Sequence, residues 1–190
     1  MKAKLSLLVC MVIMSQHART QSDSTLELKK NAIYFELFGN GLFYSFNYER
    51  MFYQERNIRL GGRIGLSVIP FADWGDEGEE MVLGMFPLEI NLLMGKQKNF
   101  LETGIGHTYN TQVYREDIMD SGLVELTHYH RHSLSLRIGY RFQKPNGKFL
   151  FRIAALPQLI YRPGFINVPN GQFRKYEFSV WGGVTFGRAF

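Results

Sequence analysis

The chain has 190 residues, of which 22 are Lys or Arg and 17 are Asp or Glu, so its formal net charge is +5. The 45% share of hydrophobic residues excludes a disordered tail, and the length excludes a large multidomain enzyme. Aromatic residues make up 15% of the chain beside 19 glycines, a composition that favours strands over a helical bundle.

Residues 1–18 have the pattern of a secretory signal peptide. Lys2 and Lys4 precede an apolar stretch that ends at Met14, and Ala18 is a small residue suited to a cleavage site. A membrane helix needs about 20 apolar residues, so this stretch is too short to span a bilayer. We predict a signal peptide over residues 1–18, an N-terminal tail over 19–30 and one domain over 31–190. Cleavage would remove Cys10, and the exported chain would then have no cysteine.

Eight segments of the remaining chain alternate between apolar and polar residues. The alternation is clearest from Ile58 to Val68 and from Leu134 to Gln143, and weaker at 33–38, 44–49, 86–92, 101–106, 149–154 and 178–190. A period of two places successive side chains on opposite faces of a strand. We therefore predict eight strands of about nine to eleven residues, the length that a tilted strand needs to cross a bilayer.

The predicted connections differ in length in a regular way. Gly39, Asn40 and Gly41 form a turn between the first two strands, and the later connections are short at 53–57, 95–99 and 144–148 but long at 69–80, 110–132 and 157–175. Outer-membrane barrels combine short periplasmic turns with longer external loops. The pattern predicts an all-β fold, an eight-stranded antiparallel up-and-down β-barrel, and the uneven connections favour a transmembrane β-barrel.

The composition of the polar face indicates which face points inward. A soluble barrel of the lipocalin type would show the same alternation with its apolar face inside, so periodicity alone leaves both arrangements open. The charged residues of the polar face are five glutamates and five arginines, namely Glu36, Glu49, Arg59, Arg63, Glu89, Glu102, Arg137, Arg141, Arg152 and Glu177. All nine lysines lie elsewhere in the sequence. Because Arg binds carboxylates through a planar fork, it suits enclosed ion pairs better than Lys does.

We therefore predict that the polar face lines the lumen and that the apolar face contacts lipid. The interior of an eight-stranded barrel is just wide enough for side chains to fill it. Ten large charged residues should plug that interior with ion pairs, so we expect no open pore. Acids match bases along this face, which excludes an electropositive track for nucleic acid.

Several stretches resemble a known group of proteins. KNAIYFELFGNGLFYSFNYER from Lys30, PLEINLLMGK from Pro87, FLETGIG from Phe100, GYRFQ from Gly139 and the terminal WGGVTFGRAF are similar to small outer-membrane β-barrel proteins of bacteroidete-type bacteria. The resemblance implies a barrel in the outer membrane and brings no catalytic residues. The alternating residues Val180, Val184, Phe186 and Phe190 resemble the terminal-strand signal that the barrel-assembly machinery recognises.

Two further groups of residues are candidates for binding. His128, His130 and His132 share one strand face, where imidazoles could converge on a metal, although such a run also suits a strand that extends into the membrane interface. The connection at 69–80 is acidic, with Asp73, Asp76, Glu77, Glu79 and Glu80, and the connection at 157–175 is basic, with Arg162, Arg174 and Lys175. These loops, with Phe71 and Trp74, could hold a divalent cation or a partner, or could be solvated loops without a ligand.

The sequence has no His and Ser pair on the same lipid-facing side of one strand, the feature expected of a barrel enzyme acting on lipid. We therefore expect no enzymatic activity, no cofactor and no resident metal. The expected partners are outer-membrane lipid, lipopolysaccharide and the barrel-assembly machinery, and the expected state is a monomer. The predicted role is structural or interactive at the cell surface. Alternatives are passage of small or apolar molecules across the membrane and a soluble periplasmic barrel that binds a lipophile.

Overall fold

A computed structural model describes residues 28–71, 80–118, 123–161 and 176–190. In these ranges the strands are β1 (Asn31–Phe38), β2 (Tyr44–Glu55), β3 (Ile58–Phe71), β4 (Glu80–Lys96), β5 (Asn99–Ile118), β6 (Leu123–Gln143), β7 (Phe149–Tyr161) and β8 (Tyr176–Ala189). The predicted signal peptide, most of the predicted tail and the charged loop segments at 72–79 and 162–175 lie outside the described residues.

The eight strands form one closed barrel in chain order. Each strand pairs antiparallel with its neighbours, and β1 pairs with β8 to close the sheet. The backbones of Asn31 and Phe190 exchange two hydrogen bonds, of 3.1 and 2.8 Å, at this seam. The predicted all-β, eight-stranded antiparallel up-and-down barrel is confirmed.

The two ends of the barrel differ in their connections. At the turn end, neighbouring strands are joined by residues 56–57, 97–98 and 144–148. The first residue of β1 and the last residue of β8 also lie at this end. At the loop end, the connections are residues 39–43, 72–79, 119–122 and 162–175. The described ranges contain no helix that is long and apolar enough to cross a membrane.

The prediction of a long loop at 110–132 is wrong. β5 continues to Ile118 and β6 begins at Leu123, and these two residues are still register partners. Strand lengths therefore range from 8 to 21 residues rather than nine to eleven. Backbone hydrogen bonds sustain this hairpin, and they do not depend on the apolar alternation from which strand lengths were predicted.

The faces of the barrel have opposite polarity. The buried, inward-facing side chains are mostly polar or charged, and Glu36 and Arg152 are both 0% exposed. The outward-facing side chains are mostly large and apolar, and Phe178, Phe46 and Ile105 are 69%, 63% and 59% exposed. The polar face therefore lines the lumen.

Candidate functional site: two ion-pair clusters beneath a polar cup

The first of two ion-pair clusters in the lumen lies nearer the loop end. This upper cluster consists of Glu36, Glu89, Arg63 and Arg137, on β1, β4, β3 and β6. Arg63 contacts both carboxylates, Glu36 closely and Glu89 at 3.3 Å. Arg137 also contacts both, at 2.8 Å from Glu36 and 2.5 Å from Glu89. Each charge in this cluster therefore faces two opposite charges, which compensates for its removal from water.

The second ion-pair cluster lies nearer the turn end. This lower cluster consists of Glu49, Glu102, Arg141 and Arg152, on β2, β5, β6 and β7. Glu49 contacts Arg141 at 2.5 Å and Arg152 at 3.0 Å, and Arg152 also contacts Glu102 at 2.6 Å. The contacts link four strands across the lumen, so side chains fill the space where a pore would run.

Tyr34 joins the two clusters. Its hydroxyl donates to Glu49 at 3.3 Å, and its ring lies beneath two guanidinium groups, with Arg152 at 4.3 Å and Arg63 at 5.7 Å from the ring centroid. Cations over an aromatic face are attracted by its quadrupole. Tyr34 therefore supports one arginine from each cluster.

Two of the ten predicted lumen charges belong to neither cluster. Arg59 is buried at the turn end, where its guanidinium lies 4.7 Å from the Phe100 ring centroid and donates to the Gly95 carbonyl at 3.4 Å. Glu177 is exposed and lies at the loop end. Alternation predicts the face of a strand on which a residue lies, but it does not predict the height of that residue along the barrel.

The turn between β1 and β2 folds into the lumen. Gly39, Asn40 and Gly41 are all buried, and Asn40 donates through Nδ2 to Oε2 of Glu89 at 3.0 Å. Phe38 and Leu42 flank the turn with φ values of 58° and 63°. These values are unfavourable for bulky side chains, so the contacts of the turn must hold its backbone in place.

A side chain at position 39 of this turn would have to displace the Glu36 carboxylate. A Cβ atom there would lie 2.3 Å from the carboxyl carbon of Glu36, and the Cα atom of Gly39 already lies 3.2 Å from the position of a Cβ on Gly183. The turn therefore covers the upper cluster from above at van der Waals distance.

Apolar side chains close the turn end of the lumen. Leu28, Met51, Leu93 and Phe100 form one buried cluster, in which Leu28 precedes β1. The backbone of Leu28 is held by the Gln54 side chain through hydrogen bonds of 2.9 and 3.0 Å. A second buried cluster consists of Ala32, Leu150, Ala189 and Tyr34, and it reaches up to the ion-pair clusters through Tyr34. Apolar packing therefore lies below the charged clusters.

Above the inward turn, the lumen opens into a cavity of about 220 Å³ that we call the cup. Its walls include the side-chain amides of Asn110, Gln112 and Gln158 and the hydroxyls of Ser133 and Ser179. The turn residue Asn40 is also part of the lining, which places it between the cup and the upper cluster.

The remaining lining of the cup combines two charges with apolar groups. Among the lining residues that the structure describes, Arg131 and Glu177 are charged, and they have opposite signs. Trp181, Leu83 and Ile160 contribute apolar surface. A concave site with mixed apolar and hydrogen-bonding walls is the usual form of a small-molecule site.

The three histidines of the predicted metal candidate do not converge. His128, His130 and His132 are exposed on the outer face of β6, where alternate residues are about 7 Å apart along the strand. His130 instead contacts the Tyr109 hydroxyl at 2.7 Å, and His132 contacts His107 on β5 at 3.1 Å. In the described ranges, no three His, Cys, Asp or Glu side chains form a group that could hold a metal ion.

The predicted assembly signal lies on β8 and at Phe190, which directly follows that strand at the closing seam. Val180, Phe186 and Phe190 are exposed, and Val184 is half-buried between its register partners Leu37 and Ile153. The outward-facing side chains of this signal are thus apolar, on the strand that pairs with β1 at the seam.

The inward position of Asn40 was missed by the sequence prediction, which treated residues 39–41 as an ordinary turn. The glycines on either side were the available signal, since they permit close backbone approach. The cup was missed as well, because its lining comes from five strands and the turn, and sequence alternation does not show which polar residues share one height.

Among solved structures, the chain is similar to the crystal structure of the N-terminal β-barrel domain of Pseudomonas aeruginosa OprF. The TM-score is 0.41 and the sequence identity is 12%, over 85% of this chain and 96% of that one. A similarity this distant gives no information about ligands or activity. No family model and no curated protein matches the sequence.

Proposed function

We propose that this protein is an outer-membrane β-barrel with a closed lumen and a structural or interaction role at the cell surface. The observation that carries the proposal is the reversed polarity of the barrel. Charged residues such as Glu36 are fully buried, whereas a continuous outer surface of Phe, Ile, Leu and Val is exposed. Soluble monomers rarely expose apolar patches larger than a few hundred Å².

Aromatic residues near both ends of the outer surface support a bilayer setting. At the turn end, Tyr48 and Tyr140 donate to Asn31 and Asn99 at 2.8 and 2.7 Å. At the loop end, Tyr109 stacks on His130 with 5.7 Å between ring centroids. Membrane barrels carry such girdles on both sides of an apolar band.

The spacing of these girdles also suits a bilayer. On β6, Tyr140 and His132 lie eight positions apart, with Leu134, Leu136 and Ile138 facing outward between them. At about 3.4 Å per residue and a tilt of about 40°, this corresponds to a height of about 20 Å, close to the apolar band of about 25 Å in such barrels.

The contents of the lumen support a closed barrel rather than a channel. Ion pairs cross it at two levels, the turn between β1 and β2 covers the upper level, and apolar clusters lie below the lower level. Passage of small molecules would require the clusters to separate. The alternative of a soluble lipophile-binding barrel needs an apolar interior, and the polar lumen does not fit it.

A denaturing gel of the envelope fractions, run with and without boiling, tests the location and closure of the barrel. We expect a band in the outer-membrane fraction that shifts on heating, because closed membrane barrels resist detergent until heated. An unshifted band in the soluble periplasm would contradict the proposal.

Conductance across a planar bilayer tests whether the lumen is closed. We expect the wild-type protein to conduct no ions and Arg63→Ala to gain no large conductance.

The finer parts of the proposal follow from the sequence. They are export by the signal peptide, insertion by the barrel-assembly machinery through Val180, Val184, Phe186 and Phe190, and contact with lipopolysaccharide as a monomer without enzymatic activity. The proposed relationship to barrels of bacteroidete-type bacteria also rests on the sequence. Replacing Phe186 by Asp should reduce the amount of assembled barrel in the outer membrane, and normal assembly would contradict this use of the terminal strand.

A further inference from the structure

Two asparagines that line the cup each have a buried side-chain oxygen for which the described residues supply no hydrogen-bond donor. Asn40 and Asn110 line it and are 3% and 9% exposed, so both are at least nine-tenths buried. In the described part of the chain, the side-chain oxygen of each has no hydrogen-bond donor. A buried acceptor without a donor is destabilising. Both oxygens are buried, so a ligand with donors would be favoured in the cup when rotation of either side chain brings its oxygen to the cavity surface.

The charges of the lining favour a neutral ligand. Among the described residues of the lining, Arg131 and Glu177 have opposite signs and leave no formal net charge. The other polar walls are amides and hydroxyls, including Gln158 and Ser179. Amides both donate and accept hydrogen bonds, and so do the hydroxyl groups of a polyol, which makes the two chemically complementary.

The size and the apolar wall of the cup further limit which ligands can bind. A volume of about 220 Å³ is below the roughly 300 Å³ at which pockets for drug-sized ligands begin, so the ligand must be small. Trp181 offers an aromatic surface beside the polar groups. The C–H face of a sugar ring packs on such a surface while its hydroxyls reach amides at the rim.

We propose that the cup binds one neutral sugar ring, either a free monosaccharide or the terminal residue of a glycan. The inference rests on the proposed function, since the loop end must face outward for the cup to meet a surface glycan. The binding itself is a property of the folded barrel in detergent, so it is tested separately from the location of the protein.

Tryptophan fluorescence can report on the cup directly. The sequence has two tryptophans, Trp74 and Trp181, so Trp74→Phe leaves Trp181 as the single reporter. The full chain with this substitution, folded in detergent and checked by its heat shift, is titrated with glucose, galactose, mannose and N-acetylglucosamine. Oligosaccharides that end in the same sugars form a second arm, and glycine and glutamate form a third.

We expect at least one neutral sugar to give a saturable change in Trp181 emission. Asn110→Ala should weaken that binding about 3- to 10-fold, as expected for the loss of one hydrogen bond. Gln158→Ala is a second cup variant in case Asn110→Ala does not fold. Asn91→Ala is the matched control, because Asn91 is also a buried asparagine with an unpartnered side-chain oxygen but does not line the cup.

Three results would overturn the proposal. The first is no saturable change with any sugar in protein that shows the heat shift, and the second is a response to the amino acids alone. The third is equal weakening by Asn110→Ala and Asn91→Ala. A response to oligosaccharides as well as free sugars supports a glycan source, and a response to free sugars alone supports a soluble one. If the proposed function is wrong, the sign is a different one, namely an unshifted band in the soluble periplasmic fraction.

Discussion

The two ion-pair clusters and the cup above them share strands β4 to β7, but their polar side chains have different surroundings. In the upper cluster, Glu36 and Glu89 each face two arginines. In the cup, within the described ranges, the side-chain oxygen of Asn110 has no hydrogen-bond donor, and the lining has one charge of each sign. Polar residues in a lumen can thus serve the fold at one height and remain available for a ligand at another.

The largest effect should come from removing one charge from the upper cluster. Arg137→Met leaves Glu36 and Glu89 with less compensation inside the barrel, which should lower the free energy of unfolding by about 3–5 kcal/mol. Urea unfolding in lipid vesicles measures this change. Arg131→Met, six positions earlier on β6 and in the cup, is the matched control and should cost less than about 1 kcal/mol. Equal losses would remove the distinction between the two regions.

A charge placed on the outer surface tests whether that surface faces lipid. Ile105→Arg introduces a cation in the middle of the apolar band and should cost about 2–4 kcal/mol. Thr111→Arg, on the same strand but nearer the loop end, should cost about 0–1 kcal/mol. Unfolding from vesicles gives both values. Similar small costs at the two positions would indicate that the band does not lie in a bilayer.

A smaller effect is expected where the inward turn approaches the upper cluster. Gly39→Ala forces a methyl group against the Glu36 carboxylate and should cost about 1–3 kcal/mol, as overpacking does. Gly182→Ala is the control, because the nearest atom to its added methyl group is 3.7 Å away. The two variants are compared by thermal unfolding in detergent. A neutral Gly39→Ala would show that the turn moves away without cost.

The smallest effect should come from the histidines outside the lumen. His130→Ala removes an exposed contact with Tyr109 and should change the free energy of unfolding by less than about 0.5 kcal/mol. Titration with zinc should give the same weak binding for this variant and wild type. A clear loss of zinc affinity would revive the three histidines as a metal site.

Alternation predicted the faces of the strands well. Glu49, Arg63 and Arg141 were assigned to the lumen from their positions in period-two segments, and all three are buried there. It failed at 110–132, where the strands continue with a pattern that no longer follows apolar alternation. It also placed Glu177 with the other lumen charges, because the period carries no information about height along the barrel.

The sequence by itself determined the number of strands, their inward and outward faces and the choice of Arg over Lys for the lumen, since each depends on residues adjacent in the chain. The tertiary structure alone decided which charges meet, because Arg137 and Glu36 are 101 positions apart and come together only through the register of a closed sheet. It alone also placed Asn40 over the upper cluster and formed the cup, because these depend on the height at which different strands bring their polar side chains together.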